Sequence, residues 1–103
     1  MKRQIPIIIP SYEPDEKLIA LLEKLRNSDI KEIILVDDGS EGEEYQKLFW
    51  KAETEYACQV LHHAVNLGKG RALKTAFNYC LNTYIIIHFF IYLNNINVEK
   101  FCK

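Results

Sequence analysis

An excess of either charge is missing from this chain: 13 Lys and Arg stand against 14 Asp and Glu. That balance removes the electrostatic case for nucleic acid or an anionic membrane surface as partner. Cysteine is scarce. Cys58, Cys80 and Cys102 are an odd number without close metal-ligand spacing, as expected of reduced thiols in a cytoplasmic protein. Long apolar runs are also missing. The run from Tyr84 to Leu93 is far shorter than the ~20 residues that span a bilayer, so no membrane span is expected. The apolar start is closed by Pro10, too early for a signal peptide. No Gly-x-Gly-x-x-Gly follows the first apolar segment, and Gly68-Lys69-Gly70 lacks the rest of a phosphate-binding P-loop. There is neither an internal repeat nor a linker, and 103 residues suit one domain with one modest core.

What is present is a strict alternation of strand-like and helix-like segments. Ile5 to Ile9 is a β-branched run closed by Pro10, and Lys31 to Val36 is a second apolar run. Neither alternates apolar with polar, so both read as strands buried on two faces. Between them, about Asp15 to Asn27, Leu18, Leu21, Leu22 and Leu25 share one helical face, with Pro14 at the entry. Ser40 and Glu43 form the Ser-x-x-Glu start of a second helix, which runs to about Tyr56 with Tyr45, Leu48, Phe49, Ala52 and Tyr56 inward. Cys58 to His62 is a short third strand. A third helix, about Arg71 to Asn82, turns Leu73, Ala76, Phe77 and Cys80 inward, and Tyr84 onward reads as a fourth strand. This order predicts an α/β fold with a mostly parallel sheet and right-handed crossovers. After Leu93 the pattern stops, and residues 88–103 read as an atypical tail.

In such a sheet, ligands bind at the carboxyl ends of the strands. Three segments reach that rim: Pro10-Ser-Tyr-Glu13, Asp37-Asp-Gly-Ser40 and Asn66 to Arg71. Together they offer an aromatic ring, carboxylates, glycines and two cations. A nucleotide needs such groups, because a carboxylate accepts a base N–H, a ring packs on the base and cations neutralise phosphate. Of the two acids, Asp37 reads as the more structural. His62 and His63 are adjacent on a strand and point to opposite faces, so they cannot easily share a metal.

Three motifs carry a family resemblance: Ile7-Ile-Ile-Pro-Ser-Tyr-Glu-Pro14, Ile34-Leu-Val-Asp-Asp-Gly-Ser40 and Asn66-Leu-Gly-Lys-Gly-Arg-Ala-Leu-Lys-Thr-Ala76. In this order and spacing they resemble the amino-terminal half of family-2 glycosyltransferases. The resemblance implies a Rossmann-like GT-A three-layer sandwich, here incomplete, with residues 1–87 as the half that binds a nucleotide-sugar. It implies that Pro10, Tyr12 and Glu13 line the nucleoside pocket, that Asp38 binds the base and that Asp37 shapes its loop. Gly68, Lys69 and Arg71 would lie near the base and diphosphate. The family reaction is displacement of a nucleoside diphosphate, such as UDP or GDP, by an acceptor hydroxyl, usually with inversion.

The family also holds Mg or Mn on the diphosphate through an Asp-x-Asp motif at the end of the fourth strand. Here His88-Phe-Phe90 stands at the expected place, and no Asp follows Asp38. A histidine and two phenylalanines do not replace two carboxylates around a hard cation. The expectation is therefore a chain truncated or shifted in reading frame near Ile87, without its metal site or acceptor half. It would be inactive alone, or serve as a non-enzymatic nucleotide-binding fragment. A receiver domain also pairs acids at a strand end, but it needs a further acid where His62 and His63 stand.

Overall fold

Strands that are apolar on both faces need cover on both sides, and here they form the middle of a sheet. The structure is a computed structural model that describes residues 6–29, 32–83, 88–93 and 96–102. Its elements run β1 Ile7–Ser11, α1 Glu16–Arg26, β2 Ile33–Asp37, α2 Glu43–Glu55, β3 Gln59–His62, α3 Lys69–Thr83, β4 His88–Leu93 and β5 Ile96–Cys102. The sheet order is β3-β2-β1-β4-β5. Four strands are parallel, and β5 pairs antiparallel with β4 at one edge.

The two faces of β1 and β2 split the core. Ile7, Ile9, Ile33 and Leu35 pack with α1 and α2 through Leu18, Leu22, Leu25, Phe49 and Ala52. Ile8, Ile34 and Val36 point the other way and meet Ala72, Ala76 and Cys80 of α3. Successive strand residues alternate sides, so one five-residue strand serves both layers. The result is the three-layer α/β arrangement expected. No helix among the described residues is long and apolar enough to cross a membrane.

Several local expectations change. The first strand does not stop at Pro10 but runs on to Ser11. The described rungs to β4 lie at Ile7 and Ile8, so the missing N–H of Pro10 falls beyond them. Helix α1 is capped by the Asp15 carboxylate, which accepts from the Lys17 N–H at 2.9 Å. Helix α2 begins at Glu43 behind Gly42, with no side-chain cap, so Ser40 and Glu43 do not form a capping box. Ser40 is committed elsewhere, to the loop after β1. In α3 it is Ala72, with Ala76 and Cys80, that is fully buried, while Leu73 and Phe77 are only partly covered.

The fourth strand is also placed differently. Residues 84–87, expected to form it, lie outside the described residues, and the strand begins at His88. Phe90 pairs with Ile7 and Ile91 with Ile8, so His88 sits at the end of the sheet opposite the rim. The apolar run from Ile85 to Leu93 contains no stop signal, so only pairing with β1 sets its register. Ile96–Cys102, without pattern in the sequence, is the edge strand β5.

Candidate functional site

The rim is built from three loops, and buried polar side chains tie them together. The loop after β1 is joined to the loop after β2 by the Glu13 N–H, which donates to Ser40 Oγ at 2.8 Å. The Asp38 N–H donates to the Ser11 carbonyl at 2.8 Å. The loop before α3 is joined to β2 through Asp38, whose carboxylate accepts from the Leu67 N–H at 2.9 Å and the Gly68 N–H at 2.8 Å. Gly39 lets these loops close. It adopts φ +78°, and a Cβ there would lie 2.2 Å from the Val65 carbonyl carbon.

Asp37 and Asp38 are both buried, but they work on opposite sides of β2. Asp37 holds its own turn: Oδ1 accepts from the Ser40 N–H at 2.9 Å, and Oδ2 lies 2.8 Å from His62 Nδ1. The Gln46 amide donates to the Ser40 carbonyl at 3.2 Å and approaches Asp37 Oδ2 at 3.4 Å. Asp38 Oδ1 lies 2.8 Å from His63 Nδ1, and His63 Nε2 lies 2.8 Å from Thr75 Oγ1. A carboxylate only accepts, so His63 Nδ1 carries the hydrogen that points at Asp38. Burial alone would raise the Asp38 carboxyl. The N–H groups of Leu67, His63 and Gly68 more than offset it, so its pKa falls below the ordinary value.

A cleft of about 310 Å³ opens at this rim, lined by Pro10, Ser11, Tyr12, Asp38, Asn66, Gly68 and Lys69. The structure thus brings together five of the expected residues: Pro10, Tyr12, Asp38, Gly68 and Lys69. The other three lie elsewhere. Glu13 faces an adjoining cleft of about 220 Å³ between the β1 loop and α1. Asp37 is 2% exposed behind its turn. Arg71 is exposed in the first turn of α3. Tyr12 is half exposed, and its phenol is pushed up chiefly by the Glu13 carboxylate, so it remains a neutral donor. Among the described residues neither Lys69 nor Arg71 has an ion-pair partner.

Local sequence gives His62 and His63 no role beyond excluding a shared metal, and nothing in it marks Thr75 or Gln46 as partners of the rim. A signal for the histidines was present. Adjacent acids end β2, adjacent histidines end β3, and Asp37 pairs in register with His62. The two doublets therefore face each other residue by residue.

Among the described residues, no group of three or more His, Cys, Asp or Glu side chains stands close enough to hold a metal ion. Asp37 and Asp38 are each occupied by their own histidine and backbone donors. The described residues therefore do not fit the Mg or Mn implied by the resemblance.

Comparison with known proteins matches the glycosyl transferase family 2 model over residues 7–88. A mannosyltransferase, PcManGT from Pyrobaculum calidifontis, solved in complex with GDP-Man and Mn2+, is similar with a TM-score of 0.71 and 21% identity. The match covers 91% of this chain and 28% of that one. S. aureus TarS is similar with a TM-score of 0.66 and 21% identity, over 89% of this chain and 16% of its own. At such identity these two likenesses concern the fold alone. No curated protein matches the chain.

Proposed function

Since this chain belongs to glycosyl transferase family 2, we propose that its rim cleft binds the nucleoside diphosphate of a nucleotide-sugar whose sugar passes to an acceptor hydroxyl. One observation carries the reading: a single cleft gathers an aromatic ring, a buried ionised carboxylate and a cation from three separate loops, as Tyr12, Asp38 and Lys69. Tyr12 provides a face for the base. Asp38 accepts a base N–H. Lys69 stands at the first residue of α3, where free backbone N–H groups add to its charge toward phosphate. Arg71, two residues on, adds a second cation at the same helix end.

Binding and turnover are separate capacities of such a chain. The described residues supply donor recognition but no carboxylate cluster that would hold a cation on the leaving diphosphate. The 103-residue chain is therefore expected to bind without transferring sugar. Calorimetry with UDP- and GDP-sugars tests the first part, with Lys69→Ala as the weakened variant, because Lys69 is exposed and its loss leaves the core intact. Binding by the wild type and an affinity lower by about tenfold in the variant are expected. Absence of binding to every nucleotide-sugar at millimolar concentration would sink the reading. Release of free nucleoside diphosphate by the purified chain would refute the second part.

A further inference from the structure

We infer, resting on the nucleotide-binding reading above, that His63 and Thr75 are positioning residues that aim the first turn of α3 at the diphosphate. Neither side chain lines the cleft. Their effect passes through Asp38 and through the axis of the helix.

Helix α3 is held to β2 at two heights, and both ties end on one carboxylate. The first is at its start, where the Leu67 and Gly68 N–H groups donate to Asp38 at 2.9 and 2.8 Å. The Gly68 carbonyl in turn accepts from the Ala72 N–H at 3.0 Å, which opens the helix. The second tie is at Thr75. Its Oγ1 lies 2.8 Å from His63 Nε2, and His63 Nδ1 donates to Asp38 Oδ1 at 2.8 Å. Thr75 is six residues beyond Lys69, about 9 Å along the axis at a rise of ~1.5 Å per residue. One tie fixes a point and lets the helix pivot about it. Two ties fix a direction, and with it where Lys69 and the first-turn N–H groups point.

Apolar packing alone specifies that direction poorly. Toward Ile8, Ile34 and Val36 the helix presents Ala72, Ala76 and Cys80 as its fully buried residues. These side chains are short and interlock little with a sheet. His63 is itself firmly held. Its side chain is 8% exposed, and its backbone N–H donates to the Asp37 carbonyl at 2.8 Å. Both ring nitrogens have partners, and a buried polar network satisfied throughout rigidifies a single arrangement. Cover for α3 alone would need only an apolar side chain at this position.

The test is calorimetry of the full 103-residue chain with UMP, UDP, GMP and GDP. The quantity read is the gain in affinity from monophosphate to diphosphate on a given base. Thr75→Val keeps the shape of the half-buried side chain and removes its oxygen. Thr75→Ser keeps the oxygen. His63→Asn keeps a donor for Asp38 and is too short to reach Thr75. The wild type is expected to gain about tenfold from the second phosphate. Thr75→Val and His63→Asn should each lose most of that gain, and Thr75→Ser should retain it. An equal loss for mono- and diphosphate is what general loosening of the fold gives, and it would overturn the inference. So would an undiminished gain in Thr75→Val, or a wild type without any gain, with nucleotide binding left standing. The wild-type comparison needs no variant, and His63→Asn decides if Thr75→Val does not fold. No binding of any of the four by the wild type would overturn the nucleotide reading itself, and this inference with it.

Discussion

Asp38 ties the loop before α3 to β2 and lines the cleft at the rim. It is buried, yet three donors make its ionised form the favoured one. The same donors anchor the loop that carries Asn66, Gly68 and Lys69. In the unfolded chain its carboxyl titrates near the ordinary value of 3.8, and in the folded chain below it. Between those values the unfolded state holds more protons, so stability rises with pH across that window. The contribution is complete above about pH 4 and is lost as pH falls through the folded value. Asp38→Asn should lower stability at pH 7 by roughly 2–4 kcal/mol, because an amide cannot accept from all three donors. It should also flatten the decline below about pH 4. Urea midpoints at neutral and acid pH report both effects, and parallel acid limbs for the two proteins would exclude Asp38 as the titrating group. The pair Asp37 and Asp38 was legible as a rim feature from the end of an apolar run. Their division of labour was only partly legible, because the histidine partners come from another strand.

Between elements, the turn from β2 toward α2 shows where local sequence rules yield to contacts. Ser40-x-x-Glu43 has the composition of a capping box, yet Gly42 precedes the helix and Ser40 Oγ accepts from Glu13 instead. A bond spanning 27 positions took precedence over one spanning three, and it ties the loop after β1 to the loop after β2. Gly39 in the same turn is required twice, for its positive φ and for its contact with Val65 and Asn66. Gly39→Ala should cost about 2–4 kcal/mol, from backbone strain together with forced displacement of the 65–66 backbone. Gly70, by contrast, has open space at its Cβ position and ordinary helical geometry. Thermal unfolding of both alanine variants checks this, and a Gly39→Ala protein as stable as Gly70→Ala would disprove the close-packed turn. Arg26 makes a comparable long-range tie, donating at 2.6 Å to the Tyr56 carbonyl and at 2.9 Å to that of Ala57. Its place in a charged last turn did not reveal it.

Across the whole molecule, the sheet is the shared wall of two cores. Strands β1 and β2 have neighbours on both sides and helices on both faces, whereas β3 is a four-residue edge strand. Amides of β1 and β2 should therefore exchange most slowly, and those of Gln59 to His62 several-fold faster, because an edge opens without disrupting the centre. Hydrogen exchange read by NMR gives the order directly. Protection in β3 equal to that in β2 would mean that its outer edge is covered by something other than this sheet. The β-α alternation, the two-sided burial of Ile7 to Ile9 and Ile33 to Val36, and the helix faces were legible because periodicity is local. The register of β4 and the strand β5 were not, because an unpunctuated apolar run and a patternless tail carry no information about which rung meets which.

The sequence by itself determined the α/β class, the family motifs and the rim that carries Asp37 and Asp38. These follow from side-chain period, turn residues and the rule that strand ends face the ligand edge. Only the tertiary structure decided which donors hold Asp38 in place. They are His63, Leu67 and Gly68, which lie 25 to 30 positions from Asp38. A hydrogen bond is set by distance and direction in space, and spacing along the chain does not encode either.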